Sequence, residues 1–202
     1  MDHTSANLVG YFGFGSLVNK HTLRTRYVDI VPATLNGWRR HWQARTDTLE
    51  QDVALLSIHQ DAQCSIKGML VIDLRENLPL VDEREFGYSR LRLEADHLEL
   101  PEGFDPPEEL YVYVANEAVD VEDTGALLQS YMDAVLQGFR NEYGDDGVMH
   151  FVETTTGFDR RILFDRATPL YPRHVSLVDE ERALFDQALK QVGAGPAVDL
   201  QP

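Results

Sequence analysis

The beginning of the chain places an apolar run directly before a cluster of turn-forming residues. Residues 8–14 are apolar, include three aromatics and contain glycines, which predicts a buried strand. Gly15-Ser16 is the expected turn after that strand. Residues 17–27 then carry apolar side chains at spacings that predict a short helix or a helical turn.

The next part of the chain has the alternation and turn signals of antiparallel strands. Asn36-Gly37 lies within the strand-like residues 29–45 and predicts a two-residue hairpin turn. Residues 53–59 and 65–74 predict a second hairpin, which turns at Asp61-Ala62-Gln63.

Helical periodicity becomes stronger towards the C-terminus. Residues 78–86 predict a short acidic helix, and residues 88–98 and 110–115 predict two further strands. Residues 123–143 have apolar side chains at spacings of one, three and four, and they predict the main helix.

Gly144 stands where a helix terminator is expected, and residues 148–155 predict another helix after it. Residues 177–192 predict a C-terminal helix, and residues 193–202 a frayed tail. Because several strands precede the main helices, the order predicts an α+β fold with a mixed or antiparallel sheet, not a doubly wound one.

Composition and charge narrow the possible partners and the compartment. The 202 residues suit one domain, and the formal net charge of −16 disfavours nucleic acid and anionic membranes as partners. Six of the 18 Lys and Arg residues lie within residues 8–45, which would attract a small carboxylate-bearing substrate there. The single cysteine, Cys64, and the lack of a visible signal peptide or membrane span predict a cytoplasmic protein.

The glycine-rich stretch GYFGFG, residues 10–15, has three readings: a phosphate-binding loop, a tight turn or part of a catalytic site. Its spacing is not that of a dinucleotide fingerprint, and no Gly-Lys-Ser/Thr follows, so a nucleotide site is disfavoured. By itself the stretch is best explained by close packing and a tight turn.

The acidic stretch LVDEREFGYSRLRLE, residues 80–94, is the second candidate for a functional segment. Glu85 lies among apolar residues at a predicted helix-to-strand junction, where burial would raise its pKa and suit general acid/base catalysis. The plainer alternative is a solvated acidic helix end.

Together, these segments resemble the gamma-glutamylcyclotransferase family, in its ChaC-like and AIG2-like branches. YFGFGSLV resembles the family's Tyr-Gly-Ser signature, VDEREFGYSR the segment with its catalytic glutamate, and LNGWRRHW a Gly-Trp-Arg-Arg segment. LLQSYMDAVLQGF is similar to a later segment that carries a tyrosine. Phe14 replaces the usual tyrosine before Gly-Ser, and Leu17 follows Ser16 as in ChaC-like members.

The resemblance implies a single domain over residues 1–202, with a mixed sheet or small barrel and flanking helices. Residues 8–143 would form the cyclotransferase-like core, residues 144–192 a C-terminal extension and residues 193–202 the tail. The segment DRATPLYPRHV, residues 165–175, has no counterpart that we assign.

The resemblance also implies the chemistry: a small γ-glutamyl amide or peptide would cyclise to 5-oxoproline and release its amine. Glu85 would be the general acid/base, and seven residues would bind the substrate: Phe14, Gly15, Ser16, Leu17, Tyr88, Arg90 and Tyr131. Backbone N–H groups at Gly15, Ser16 and Leu17 would face the oxyanion or the substrate carboxylate.

Several assignments stay open at this point. Tyr131 suits either the helix core or the pocket, and Arg90 either binds substrate or pairs with Asp82. Ser16 lacks a nucleophile elbow and an identifiable histidine partner, so we assign it a substrate contact. The histidines show no metal-ligand spacing, and we predict no metal and no cofactor. The alternative function is a non-catalytic small-molecule-binding or regulatory module on the same fold.

Overall fold

The computed structural model describes residues 7–23, 26–44, 53–116, 125–194 and 197–198. The strands of these residues are β1 (Leu8–Gly13), β2 (Asp29–Ala44), β3 (Ala54–Leu74), β4 (Tyr88–Leu93), β5 (Leu98–Glu99), β6 (Leu110–Ala115), β7 (Leu127–Leu128), β8 (Thr155–Thr156), β9 (Ile162–Leu163) and β10 (Ala197–Val198). Their α-helices are α1 (Leu78–Arg84), α2 (Gln129–Glu153) and α3 (Asp179–Gln191). The main sheet of the described residues has seven strands in the order β4-β6-β1-β3-β2-β5, with β8 paired to β2.

The predicted mixed α+β class is confirmed, and the main sheet curls into a half barrel. β1 lies inside this sheet, antiparallel to β3 and parallel to β6. Its apolar residues are covered on both faces, which is why this strand reads as a continuous hydrophobic run. β7, β9 and β10 form a second, small parallel sheet.

Both predicted hairpin turns are wrong, because β2 and β3 are single long strands that pair with each other. Gly37, with φ of +79°, lies at an irregularity where the register shifts between Asn36 and Trp38. Residues 61–64 lie opposite this point, and β3 continues through them. The turn-forming residues therefore form a bulge within two paired strands and do not end them. Pairing on both sides of the bulge keeps the two halves of each strand in the same sheet.

The predicted helices are present with shifted ends. α1 and α3 lie within their predicted ranges, and the chain breaks from helical geometry at Gly144, with φ of +71°, before continuing to Glu153. Glycine suits that break because it adopts positive φ without a steric penalty. The predicted start of the main helix at residues 123–124 is outside the described residues, and residues 127–128 form β7 instead. The strand predicted over residues 88–98 ends at Leu93.

The segment after residue 143 packs onto the same core as the N-terminal strands. Phe185 and Leu189 of α3 belong to the buried cluster that contains Phe12, Leu70 and Val135. In the described part of the chain, no helix is both long and apolar enough to span a bilayer.

A fully buried arginine ties the sheet to α2 and to the loop after β1. Arg40 is 0% exposed; its Nε donates to the carbonyl of Phe14 at 2.9 Å, and its Nη1 to Thr154 Oγ1 at 2.8 Å. Its Nη2 donates to the carbonyl of Lys67. Burial lowers the pKa of Arg40 to about 9.

Two aromatic rings of α2 partly compensate this burial. The guanidinium lies 4.9 Å from the ring centroid of Phe139 and 5.1 Å from that of Phe151. Such cation–π contacts favour the charged form at a site that water does not reach.

We expect Arg40→Met to lower the free energy of unfolding by roughly 3 kcal/mol or more, because it leaves buried acceptors without donors. Arg39→Met is the matched control. Arg39 pairs with Asp61 at 2.6 Å, but both side chains are more than a quarter exposed, so its loss should cost about 1 kcal/mol or less. Urea denaturation of both variants measures the difference, and equal losses would contradict the structural role assigned to Arg40.

Candidate active site

A cavity of about 380 Å³ lies where the end of α1, the loop after β1, α2 and residues 170–173 meet. Four of the predicted site residues line it: Ser16, Glu85, Tyr88 and Tyr131. Its other lining residues are Val53, Ala54, Leu55, Leu56, Arg84, Phe86, Leu128, Leu170, Tyr171, Pro172 and Arg173. The structure thus brings residues of two segments that are distant in the sequence, the glycine loop and the acidic helix, to one cavity.

Glu85 lies at the C-terminal cap of α1. Its N–H donates to the carbonyl of Val81 at 2.9 Å, and its own carbonyl accepts from the N–H of Tyr88 at 3.0 Å. Gly87, with φ of +89°, provides the turn that sends the chain from the helix into β4. This local geometry fixes the backbone on both sides of the carboxylate.

The Glu85 carboxyl group is mostly buried beside two guanidinium groups. Arg84 Nε lies 3.0 Å from Glu85 Oε1, and the two side chains are only 10% and 16% exposed. Burial raises the pKa of Glu85, although the positive charges of Arg84 and Arg173 act against the rise. Burial also lowers the pKa of Arg84. Desolvation therefore outweighs the mutual attraction, and the carboxyl is brought closer to accepting a proton near neutral pH.

Tyr131 connects the glycine loop to the cavity. A backbone hydrogen bond from Ser16 reaches its hydroxyl, whose pKa is raised mainly by burial. A Cβ atom at Gly15 would lie 2.9 Å from that hydroxyl and 3.1 Å from Leu56 Cδ2. Glycine at this position therefore lets the tyrosine hydroxyl approach the backbone. Tyr131 serves both of the roles considered for it, since its ring packs on Trp42 at 5.8 Å between centroids.

Tyr88 also lines the cavity. Its hydroxyl donates to the carbonyl of Leu56 at 2.8 Å. This bond fixes the tyrosine ring against β3 and beside Glu85.

Phe14, Gly15, Leu17 and Arg90 are not among the residues that line this cavity. The side chains of Phe14 and Leu17 are buried in the core instead. Arg90 Nη1 lies 3.5 Å from Asp82 Oδ1, and its guanidinium lies 4.8 Å from the ring centroid of Tyr111. Of the two readings of Arg90, the structure shows the ion pair with Asp82.

Sequence reasoning missed Arg84, Tyr171 and Arg173. Arg84 was inside the quoted acidic motif, and its position next to Glu85 was the available signal. Tyr171 and Arg173 lie in the unassigned segment of residues 165–175, where no motif indicated a site. In the structure the Tyr171 ring lies 5.0 Å from that of Tyr131, and Arg173 Nε donates to the Tyr171 hydroxyl at 3.0 Å.

A buried carboxylate holds this segment against α2. Asp165, 1% exposed, accepts from the N–H of Ser130 at 2.7 Å, from the Ser130 hydroxyl and from the N–H of Leu170 at 2.9 Å. The Ser130 hydroxyl oxygen accepts from the N–H of Tyr171 at 3.2 Å. This Asp165–Ser130 latch sets where residues 170–173 meet the cavity.

Within the described ranges, no group of three or more His, Cys, Asp or Glu side chains is arranged to hold a metal ion.

No protein-family model matches the chain, and no curated protein matches it. Among solved structures, a gamma-glutamyl cyclotransferase is similar, with a TM-score of 0.56 over 89% of this chain and 99% of that chain, at 13% identity. The chain has the fold of a gamma-glutamyl cyclotransferase. An uncharacterized protein of Homo sapiens gives the same figures. YkqA from Bacillus subtilis has a TM-score of 0.51 over 77% of this chain and 58% of that chain, at 16% identity.

The resemblance read from the sequence motifs is thus confirmed at the level of the gamma-glutamyl cyclotransferase fold. The activity is a separate question, because one fold can carry several functions and only the site decides between them.

We expect Asp165→Ala to destabilise the protein by about 1–3 kcal/mol, because three donors lose a buried acceptor. Amide hydrogen exchange at Leu170 and Tyr171 should become faster, since the latch holds that segment. The exposed Asp159 provides the control variant, Asp159→Ala, which should change neither quantity. Unchanged exchange in Asp165→Ala would mean that other contacts hold the segment.

Proposed function

We propose that this protein is a gamma-glutamylcyclotransferase-like enzyme that converts a γ-glutamyl amide or peptide to 5-oxoproline and a free amine. The observation that carries the proposal is Glu85: a mostly buried carboxyl with a raised pKa, in a cavity that also contains Ser16 of the glycine loop. The fold of the solved gamma-glutamyl cyclotransferase supports it. A cytoplasmic location is part of the proposal and fits Cys64, which is a buried free thiol.

The reaction needs one group that accepts a proton and then returns it. The α-amine of the substrate reacts in its neutral form: its nitrogen attacks the γ-carbonyl carbon, forming the new C–N bond of the ring, and gives one of its two protons to the Glu85 carboxylate. The bond to the leaving amine then breaks, and the amine nitrogen takes a proton from the Glu85 carboxyl. The sum is neutral in protons, and no other reagent is consumed.

The cavity also offers a donor for the developing negative charge. Tyr131 lines it and accepts the backbone hydrogen bond from Ser16, so its own hydroxyl is the proposed donor to the oxyanion or to the glutamyl α-carboxylate. The bond from Ser16 fixes this hydroxyl, so the donor keeps its position during the reaction. The cavity, about 380 Å³, also favours a folded-back substrate, in which amine and carbonyl are near each other.

We expect Glu85→Gln to reduce kcat by about 100-fold or more, because the amide cannot exchange a proton with the substrate. Release of 5-oxoproline from a panel of γ-glutamyl amino acids, γ-glutamyl amines and glutathione measures this. Glu83→Gln is the matched control, since Glu83 is an exposed acid on the same helix.

Two results would contradict the proposal in different ways. Full activity in Glu85→Gln would remove Glu85 from the chemistry. Binding of γ-glutamyl compounds by the wild-type protein without any turnover would favour the non-catalytic binding module.

The raised pKa of Glu85 predicts the pH dependence. The carboxyl must be ionised to accept the proton, so kcat/KM should rise with pH through a pKa above the ordinary glutamate value. Arg84 lowers the pKa of Glu85, so Arg84→Met should move the acidic limb of the profile to higher pH. Arg84→Lys keeps the charge and should move it less. A limb that moves to lower pH in Arg84→Met would contradict this electrostatic role.

A further inference from the structure

Among the described residues that line the cavity, Arg84 and Arg173 carry guanidinium groups and Glu85 carries the one carboxyl group. With Glu85 ionised, the charges of these three side chains sum to +1, and with Glu85 protonated they sum to +2. This described lining is thus positive within a protein whose formal net charge is −16. Such a local excess favours a ligand that brings negative charge with it.

The two arginines differ in the contacts that their guanidinium groups make within the protein. Arg84 is the ion-pair partner of Glu85, at 3.0 Å. Arg173 uses its Nε for the Tyr171 hydroxyl, at 3.0 Å, and its guanidinium lies 5.4 Å from the Tyr171 ring centroid. Its two Nη atoms make no hydrogen bond to another described residue, which leaves the fork of the guanidinium available to a ligand.

A γ-glutamyl group carries one carboxylate, for which the Tyr131 hydroxyl at the glycine loop is already a proposed donor. The fork of Arg173 is therefore available for a second one. Arginine suits this task, because its planar fork binds a carboxylate through two parallel hydrogen bonds.

We propose that Arg173 binds a carboxylate on the leaving amine, so that the preferred substrates are γ-glutamyl amino acids or peptides whose leaving nitrogen is near a free carboxylate. This inference rests on the proposed function. Uncharged γ-glutamyl amines would leave the Arg173 fork without a partner, and cationic ones would be repelled by both guanidiniums.

The rest of the cavity wall agrees with this substrate class. Leu55, Leu128, Leu170 and Pro172 provide an apolar surface for the side chain of the leaving amino acid. The volume is at the small end of the range for ligand pockets, which suits a dipeptide-sized molecule.

The test uses two substrates of equal size, γ-glutamyl-alanine and γ-glutamyl-alaninamide, which differ in the charge of one group. We expect the wild-type protein to favour the carboxylate over the carboxamide in kcat/KM by about 10- to 100-fold, as a charge-assisted hydrogen bond would give. Arg173→Gln should bring that ratio close to one, and Arg173→Lys should keep part of it. The control is Arg161→Gln, which removes one exposed positive charge outside this cavity and should keep the wild-type ratio.

Two outcomes would overturn the inference while the proposed function stands. One is turnover of both compounds at equal efficiency by the wild-type protein. The other is an equal loss on both compounds in Arg173→Gln, which would place Arg173 on the glutamyl part or in a structural role.

Calorimetric binding of both compounds to Glu85→Gln separates the two proposals. Tighter binding of γ-glutamyl-alanine there, lost in the double variant Glu85→Gln/Arg173→Gln, supports the Arg173 site even if the wild-type protein shows no turnover. Equal binding of the two compounds, or no binding of either, would contradict it.

Discussion

The burial of the Arg40 guanidinium is the constraint around which the rest of the structure is arranged. It joins the carbonyl of Phe14, at the end of β1, to the carbonyl of Lys67 on β3 and to Thr154 after α2. Removing a guanidinium from water is unfavourable, and here each of its three nitrogens has an acceptor while two aromatic rings flank the group. Because Gly15 and Ser16 directly follow Phe14, the same contacts fix where the glycine loop begins.

In the candidate active site, by contrast, the cost of burying a charged group is only partly compensated. Around Glu85, desolvation outweighs the attraction of Arg84 and Arg173, and the carboxyl is left with a raised pKa. A fully compensated carboxylate would be a poor base, so incomplete compensation suits a group that must gain and lose a proton in each cycle. Arg84 limits the rise, since its guanidinium stabilises the ionised form.

The C-terminal segment links the fold to the choice of substrate. Asp165 accepts three hydrogen bonds and thereby places Leu170, Tyr171 and Arg173 at the cavity. The general acid/base and the proposed leaving-group contact thus come from parts of the chain nearly ninety residues apart.

The sequence by itself determined the class of the fold and the positions of most helices and strands, and its motifs predicted that the glycine loop and Glu85 share one site. These features depend on local periodicity and on short motifs, which are written in consecutive residues. The sequence predicted hairpin turns at Asn36-Gly37 and at Asp61-Ala62-Gln63, and both predictions were wrong. These residues form an irregularity within two long strands. Only the tertiary structure could decide that, because pairing along the whole length of β2 and β3 outweighs local turn preference.

The tertiary structure alone also decided which polar residues share the cavity. Arg90, which the motifs assigned to the site, pairs with Asp82 outside the cavity lining. Arg173, which lies in a segment without a motif, lines the cavity. Burial, and with it the raised pKa of Glu85, is a property of what packs around a residue and not of its neighbours in the chain.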